Sequence, residues 1–381
     1  MCFKKNFYIS KNRLNFVKIG SYFKYFFFAM SNQKQPVVIA GPCSAESYEQ
    51  LYQIVEQLFA LHIDTIRVGV WKPRSRPDSF QGIGEEALKW IQDIKKLFPV
   101  RFATEVATPE HIDKALHYGI DMVWLGARTT VNPFHVQELA EALRGVSIPV
   151  LIKNPINPDL SLWIGAIERM QKSNVGEVMA IHRGFSSFDV SKFRNIPLWQ
   201  IPLELKTIFP SVPLLVDPSH ISGNRAYILE ITQKAFDLNY DGCMVEVHPY
   251  PSQALSDKDQ QLSPEEFAHM LAQLKIRQPY STNHVFVNQL EELRGKIDQL
   301  DREIVESIAM RMALVLEIGE YKKDNQVTVF QMERWNEIFS TRATWAEKMN
   351  LDKDFIQHIY KIIHEESIRI QTEVVSQEKK N

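Results

Sequence analysis

Between residue 36 and about residue 250, short β-branched apolar runs alternate with longer stretches whose apolar residues return every three or four positions. The runs are Val37-Val38-Ile39-Ala40, Ile66-Arg67-Val68-Gly69-Val70, Val100-Arg101-Phe102-Ala103-Thr104, Met122-Val123-Trp124-Leu125, Pro149-Val150-Leu151-Ile152, Val178-Met179-Ala180-Ile181, Pro213-Leu214-Leu215-Val216 and Gly242-Cys243-Met244-Val245-Glu246. They recur about every 20 to 35 residues, room for one strand, one helix and two loops. The intervals predict amphipathic helices, among them Tyr48–Leu61, Glu85–Phe98 and Pro109–Tyr118. Thr108 before Pro109 reads as an N-cap with Pro at the first helical position. Asn132-Pro133 opens a helix running through Leu143. Eight strand–helix alternations predict an α/β fold, a parallel (β/α)8 TIM barrel, with a doubly wound open sheet as the competing arrangement.

The pattern changes after Arg277. Residues 277–288 are polar and irregular and read as a linker. Beyond them Leu290, Leu293, Ile297, Leu300, Ile304 and Ile308 repeat at steps of three and four, with no Pro or strand signal in 289–323. One helix of about 35 residues is about 50 Å long, too long for one small domain, so it is expected to cross a partner chain. Two more helices are expected at about Phe330–Met349 and Lys353–Val375. The tail is thus an all-α three-helix domain, expected to form an intertwined homodimer, or a larger assembly, through a coiled-coil-like seam.

Composition narrows the classes. The 381 residues suit two or three domains. A hydrophobic fraction of 45% excludes wholesale disorder. A net charge of −2 gives no case for nucleic acid, and no uncharged apolar run reaches the ~18 residues of a membrane span. Three cysteines, Cys2, Cys43 and Cys243, make no disulfide framework and point to a reducing, cytoplasmic compartment. Residues 1–29 differ from the rest: they carry six basic residues, no acidic one, seven Phe and three Tyr. A signal peptide is poorly matched, because Lys24 interrupts the apolar stretch, and a transit peptide is richer in Arg. The leader is read as upstream sequence before a start at Met30. The expected division is a doubtful leader 1–29, a barrel 30–276, a linker 277–288 and a helical domain 289–381.

A barrel's active site lies at the C-terminal ends of its strands. The residues expected there form two sets. Cys43, His220, Glu246 and Asp257 are a thiol, an imidazole and two carboxylates, which suit a divalent transition metal with an open position. Arg67, Lys72, Arg74, Arg128, Lys153 and Arg183 are cations from several strand ends, and such a cluster repels itself unless anions sit among them. They call for a substrate set with several negative groups, such as phosphates and a carboxylate. Arg76 has no assigned place.

The strings WKPRSRPDSFQGIGEEAL, GPCSAES, GARTT, DPSH and EVHP, in residues 36–270, resemble 3-deoxy-7-phosphoheptulonate (DAHP) synthases. The resemblance implies a metal-dependent barrel that condenses phosphoenolpyruvate with erythrose 4-phosphate. It implies Cys43, His220, Glu246 and Asp257 as ligands of a divalent ion such as Mn, Fe or Zn. Arg67, Lys72, Arg128, Lys153 and Arg183 would hold phosphoenolpyruvate, with Arg67 and Lys72 acting in catalysis. Pro73, Arg74 and Ser75 would hold erythrose 4-phosphate, and Glu105 would orient a water. The usual Lys-Pro-Arg-Thr of that family is Lys-Pro-Arg-Ser here, which keeps a hydroxyl. The sister octulosonate synthases read Lys-Ala-Asn-Arg-Ser at this place, which favours the four-carbon aldose. His182 before Arg183 is a further departure to which no role is given.

The tail, over about 289–375, resembles the all-helical chorismate mutases, with LRGKIDQLD at 293–301 as its opening. That family rearranges chorismate to prephenate without a cofactor. The resemblance implies Arg294, Arg311, Lys322 and Gln371 as catalytic and Gln331, Arg334 and Ser367 as substrate-binding. Arg311 and Lys322 are eleven residues apart and share a helix face, and Ser367 and Gln371 are i and i+4. Arg294 is about 100° off the Arg311 face and in the family comes from the partner protomer. Trp335 stands where well-known members have a Glu that helps hold the substrate hydroxyl. The leading reading is a bifunctional synthase and mutase; the alternative makes the tail a chorismate- or prephenate-sensing regulatory module.

Overall fold

The computed structural model describes residues 35–72, 80–187 and 191–376. The backbone forms two compact units that part between Pro279 and Tyr280.

In the first unit, β1 (Val37–Gly41), α1 (Tyr48–Ala60), β2 (Thr65–Arg67), α2 (Glu85–Lys95), β3 (Arg101–Val106), α3 (Pro109–His117) and β4 (Met122–Leu125) follow in turn. Then come α4 (Ala127–Thr130), α5 (Pro133–Ala142), β5 (Val150–Lys153), α6 (Leu160–Lys172), β6 (Val178–His182) and α7 (Gln200–Ile208). The unit ends with β7 (Leu214–Val216), α8 (Pro218–Ser222), α9 (Ile228–Asp237), β8 (Gly242–Glu246) and α10 (Pro264–Gln273). The eight strands are parallel and close into a barrel in sequence order. β8 pairs with β1 from Val37↔Gly242 to Gly41↔Glu246, which excludes the open sheet.

Local chemistry explains the helix starts. Thr108 accepts from His111 N, and Pro109 follows at a position whose N–H needs no partner. Asn132 caps α5 from Phe134 N and His135 N. Successive strand residues point alternately inward and outward. Ile39, Ala103, Trp124, Leu151, Leu215 and Met244 fill the barrel interior, while their strand neighbours pack against the helices. One boundary differs from expectation: β2 covers Thr65–Arg67 and stops three residues before the end of the apolar run Ile66–Val70. Beyond it the chain turns toward the β1 loop, with Val68 N donating to Ala103 O and Ala45 N to Gly69 O.

The second unit holds α11 (His284–Asp324), α12 (Met332–Lys348) and α13 (Lys353–Ser376). α11 has 41 residues and starts inside the expected linker. Asn283 is the reason: its side chain accepts from Val285 N and Phe286 N and caps the helix five residues early. Val315 and Gly319 of α11, Ile338, Ala343 and Ala346 of α12, and Ser367 and Gln371 of α13 are buried. A Cβ on Gly319 would lie 3.3 Å from Val374 Cβ, so glycine permits this close helix approach. The leader and the Cys2 it carries lie outside the described residues.

Candidate active sites

Side-chain alternation aims the barrel site. Arg67, Glu105, Lys153 and Glu246 stand two residues beyond inward positions of β2, β3, β5 and β8, and Asp217 does the same just past β7. All therefore point up the barrel axis. Cys43 reaches the same end in the loop after β1, and Asp257 in the loop after β8.

Donor atoms of Cys43, Glu246 and Asp257 lie within 4.8 Å of one another. Cys43 Sγ is 3.3 Å from Asp257 Oδ2. His220 Nε2 is 3.7 Å from Glu246 Oε1. His220 Nδ1 sits 2.9 Å from Asp217 Oδ1, which fixes the ring and leaves Nε2 toward the cluster. The four expected ligands are thus brought together, with His220 at the edge. Burial pushes the Cys43 thiol up to about 12, with Glu246 adding to the effect. Burial opposes ionisation of Glu246 and Asp257, but His220 in its protonated form, and the permanent charges of Arg67 beside Glu246 and Arg194 beside Asp257, hold the two carboxyls below their ordinary values. Burial pulls His220 down, toward the neutral ring that ligates metal.

Cations crowd this cluster. Arg67 is fully buried and gives NH2 to Glu246 Oε1 at 2.9 Å. Its Nε and NH1 have no hydrogen-bond partner, with NH1 3.9 Å from Asp217 Oδ2, so both can still donate to an anion. Lys72 Nζ lies 3.0 Å from Cys43 Sγ. Lys153 Nζ donates to Asp217 Oδ2 at 2.7 Å and lies 5.7 Å from the Trp124 ring centroid. Arg183 NH1 donates to Asn195 Oδ1, and burial lowers its pKa to about 10. Arg128 is exposed in the short α4. Part of the mutual repulsion is thus answered by the chain's own Glu246 and Asp217. Glu105 accepts from Trp124 Nε1 at 3.3 Å, and a Cβ on Gly126 would fall 2.1 Å from its Oε1, so glycine makes room for this carboxylate. Pro73, Arg74, Ser75 and Arg76 lie outside the described residues.

Three contributors were missed in the sequence. Asp217 anchors Lys153 and His220 together, and its place in Asp-Pro-Ser-His as a helix cap was the available signal. Arg194 donates to Asp257 Oδ1 and Gln260 to Glu246 Oε2. Both come from loops, where no periodicity announces a direction.

In the helical unit, Arg311 NH1 donates to Ser367 Oγ at 2.7 Å, joining α11 to α13. Gln371, one turn beyond Ser367, is buried with its Oε1 unpartnered. Lys322 Nζ donates to Val329 O. Burial lowers the pKa of both Arg311 and Lys322, and Arg342 and Arg334 push Arg311 further. Gln331 holds the cap position of α12 without a side-chain cap bond, and Arg334 pairs with Glu337 on the surface. Arg294 meets only Glu291 on its own helix in the pairs observed, on an exposed surface. Seventeen residues of helix, about 25 Å, separate it from Arg311, so one chain does not unite them.

Comparison with known proteins agrees with a barrel followed by a helical region. The DAHP synthetase I family profile matches residues 28–278, and the chorismate mutase type II profile matches 293–372. A phospho-2-dehydro-3-deoxyheptonate aldolase of Thermotoga maritima is 30% identical over 238 residues, 62% of this chain and 68% of the relative. A crystal structure of the Thermotoga maritima enzyme superposes with a TM-score of 0.56 at 29% identity, covering 62% of this chain and 68% of that one. A 4-amino-4-deoxychorismate mutase of Streptomyces pristinaespiralis is 29% identical over 87 residues, 23% of this chain and 67% of the relative.

Proposed function

The chain belongs to the DAHP synthetase I family and carries a chorismate mutase type II domain behind it, and from that premise we propose how its residues perform the two reactions. It is a DAHP synthase and a chorismate mutase, an enzyme of the shikimate route to aromatic compounds. One observation carries the synthase site: a thiol and two carboxylates within 4.8 Å, beside an arginine with two buried donors unfilled.

Cys43, His220, Glu246 and Asp257 would hold a divalent ion. A soft thiol, an imidazole and hard carboxylates fit a first-row transition metal better than Mg²⁺ or Ca²⁺. Bound there, the ion supplies Lewis-acid polarisation of the aldose carbonyl. Arg67, whose Nε and NH1 make no hydrogen bond, and Lys72, Lys153, Arg128 and Arg183 hold the phosphate and carboxylate of phosphoenolpyruvate. They align its enol carbon for attack on the aldehyde of erythrose 4-phosphate, which Pro73, Arg74 and Ser75 bind. Water then adds at C2 and phosphate leaves. Glu105, fixed by Trp124, orients that water, and the arginines stabilise the shifting charge.

In the mutase site, Arg311, Lys322 and Arg334 hold the dianion in its folded pose. Ser367, Gln331 and Gln371 supply neutral donors, Gln371 at the ether oxygen. Arg294 completes the site from the partner protomer of a homodimer built on α11. This site works without a cofactor. The Streptomyces relative is named for the 4-amino analogue; the substrate of this site is chorismate. No described helix is long and apolar enough to cross a membrane, and Cys43 and Cys243 are free, which supports a reducing cytoplasm.

A paired assay tests both halves. Phosphate release from phosphoenolpyruvate and erythrose 4-phosphate should vanish with a chelator and return with Mn²⁺, Fe²⁺ or Zn²⁺, while chorismate consumption persists throughout. Phosphate release that survives exhaustive chelation and the Cys43→Ala change would end the metal assignment.

A further inference from the structure

One face of α13 carries two buried heteroatoms without partners, His364 Nε2 and Gln371 Oε1. The one other such atom among the described residues of the helical unit is Arg342 Nε. His364, Ser367 and Gln371 lie within about 60° on the helix surface, and the outer two are about 10 Å apart along its axis. Ser367, between them, already receives Arg311. His364 is therefore in line with residues of the mutase site, one turn before Ser367.

The surroundings of the imidazole are unusual for a surface helix. Its ring centroid is 4.0 Å from that of Trp335, tilted by 39°, and Phe330 meets it edge-on at 6.3 Å. Burial, then the charges of Arg311 and Lys322, lower its pKa, with Glu365 opposing, so the ring is neutral at pH 7. It is an uncharged polar group set among cations and aromatic faces.

Chorismate brings two carboxylates, an ether oxygen and one ring hydroxyl. The cations answer the carboxylates, and the hydroxyl needs an uncharged partner. Resting on the mutase reading above, we propose that His364, braced by Trp335, contacts that hydroxyl and makes the site select a hydroxyl over an ammonium at this ring position. A hydroxyl both donates and accepts, so a neutral imidazole serves it in either tautomer. An ammonium only donates, and it brings a positive charge toward Arg311 and Lys322. A carboxylate at position 335 would offset that charge; Trp335 offers none.

The test uses the full-length protein with two probes, chorismate and 4-amino-4-deoxychorismate, and reads kcat/KM for each. The wild type should prefer chorismate by about tenfold or more. His364→Ala should lose about tenfold or more on chorismate, and His364→Gln, neutral and able to donate and accept, should recover part of it. Trp335→Glu should narrow the preference by raising turnover of the amino analogue. Equal use of both probes by the wild type overturns the proposal. So does unchanged chorismate turnover in both His364 variants. If the alanine variant does not fold, the glutamine and glutamate variants still decide, since an unmoved preference in Trp335→Glu also overturns it. Turnover of neither probe by the wild type strikes the mutase reading itself.

Discussion

His182 and Arg183 are neighbours in the chain with opposite duties. Arg183 follows the inward parity of Met179 and Ile181 and reaches the barrel mouth, whereas His182 points outward among Phe185, Trp199 and Tyr240. There Nε2 lies 2.6 Å from Pro197 O and Nδ1 3.0 Å from Tyr240 OH. Burial lowers its pKa to about 3, against the Pro197 contact that raises it. The folded barrel therefore binds His182's proton far more weakly than the unfolded chain, whose histidine titrates near 6.5. Its contribution is complete above about pH 6.5 and is lost as pH falls toward 3. Between pH 7 and pH 5 this one residue should cost about 2 kcal/mol of stability. His182→Asn should shrink that loss, read as a smaller shift of the barrel's urea midpoint between the two pH values. Equal shifts in both proteins would refute the assignment. Much of the site was readable for another reason: Arg67, Lys153 and Glu246 are charged residues in or at the end of continuous apolar runs, and a barrel gathers its strand ends at one mouth. Arg194, Gln260 and His364 had no such signal, because loop closure and packing against Trp335 decide where they point.

At the scale of elements, α11 is the outlier. It is about 62 Å long. Leu293, Ile297, Leu300 and Ile304 are each 55–57% exposed in the single chain. Aliphatic side chains of this size each gain roughly 1.5–3 kcal/mol when fully buried, so the stripe is a strong drive to pair. The Ile297→Asp/Leu300→Asp variant should sediment as a monomer at micromolar concentration where the wild type sediments as a dimer. Its chorismate turnover should fall at least about tenfold, because Arg294 would no longer reach a neighbour's site. A wild type that sediments as a monomer while turning over chorismate would remove the cross-protomer arrangement. The three- and four-residue steps already reveal this helix, just as eight β-branched runs reveal eight strands, seven of them to within two residues and β2 to within three. The helix start was not legible, because the apolar Val285-Phe286-Val287 reads together with the polar stretch before it and the Asn283 cap lies inside that stretch.

At the scale of the whole molecule, the chain's net charge of −2 conceals two cationic sites, one in each unit. The barrel site is assembled within one chain: its thiol, imidazole, carboxylates and cations come from the strand ends of a closed ring and the segments that follow them. The helical site as proposed is not, since Arg311 and Arg294 lie about 25 Å apart along the same helix. The two-fold dimer proposed above would resolve this, because each protomer would then lend Arg294 to the site that holds its partner's Arg311. The arrangement makes a quantitative prediction. Arg294→Ala and Arg311→Ala should each be nearly inactive on chorismate when purified alone. Co-expressed with two tags, half of the dimers are mixed, and each mixed dimer contains one doubly damaged site and one intact site. The unsorted mixture should then recover about a quarter of wild-type turnover, and the purified mixed dimer about half. Sites built within one chain give no recovery at all, because every site retains one lesion. Phosphate release by the barrel should be present in both variants, which separates loss of the mutase site from loss of the protein.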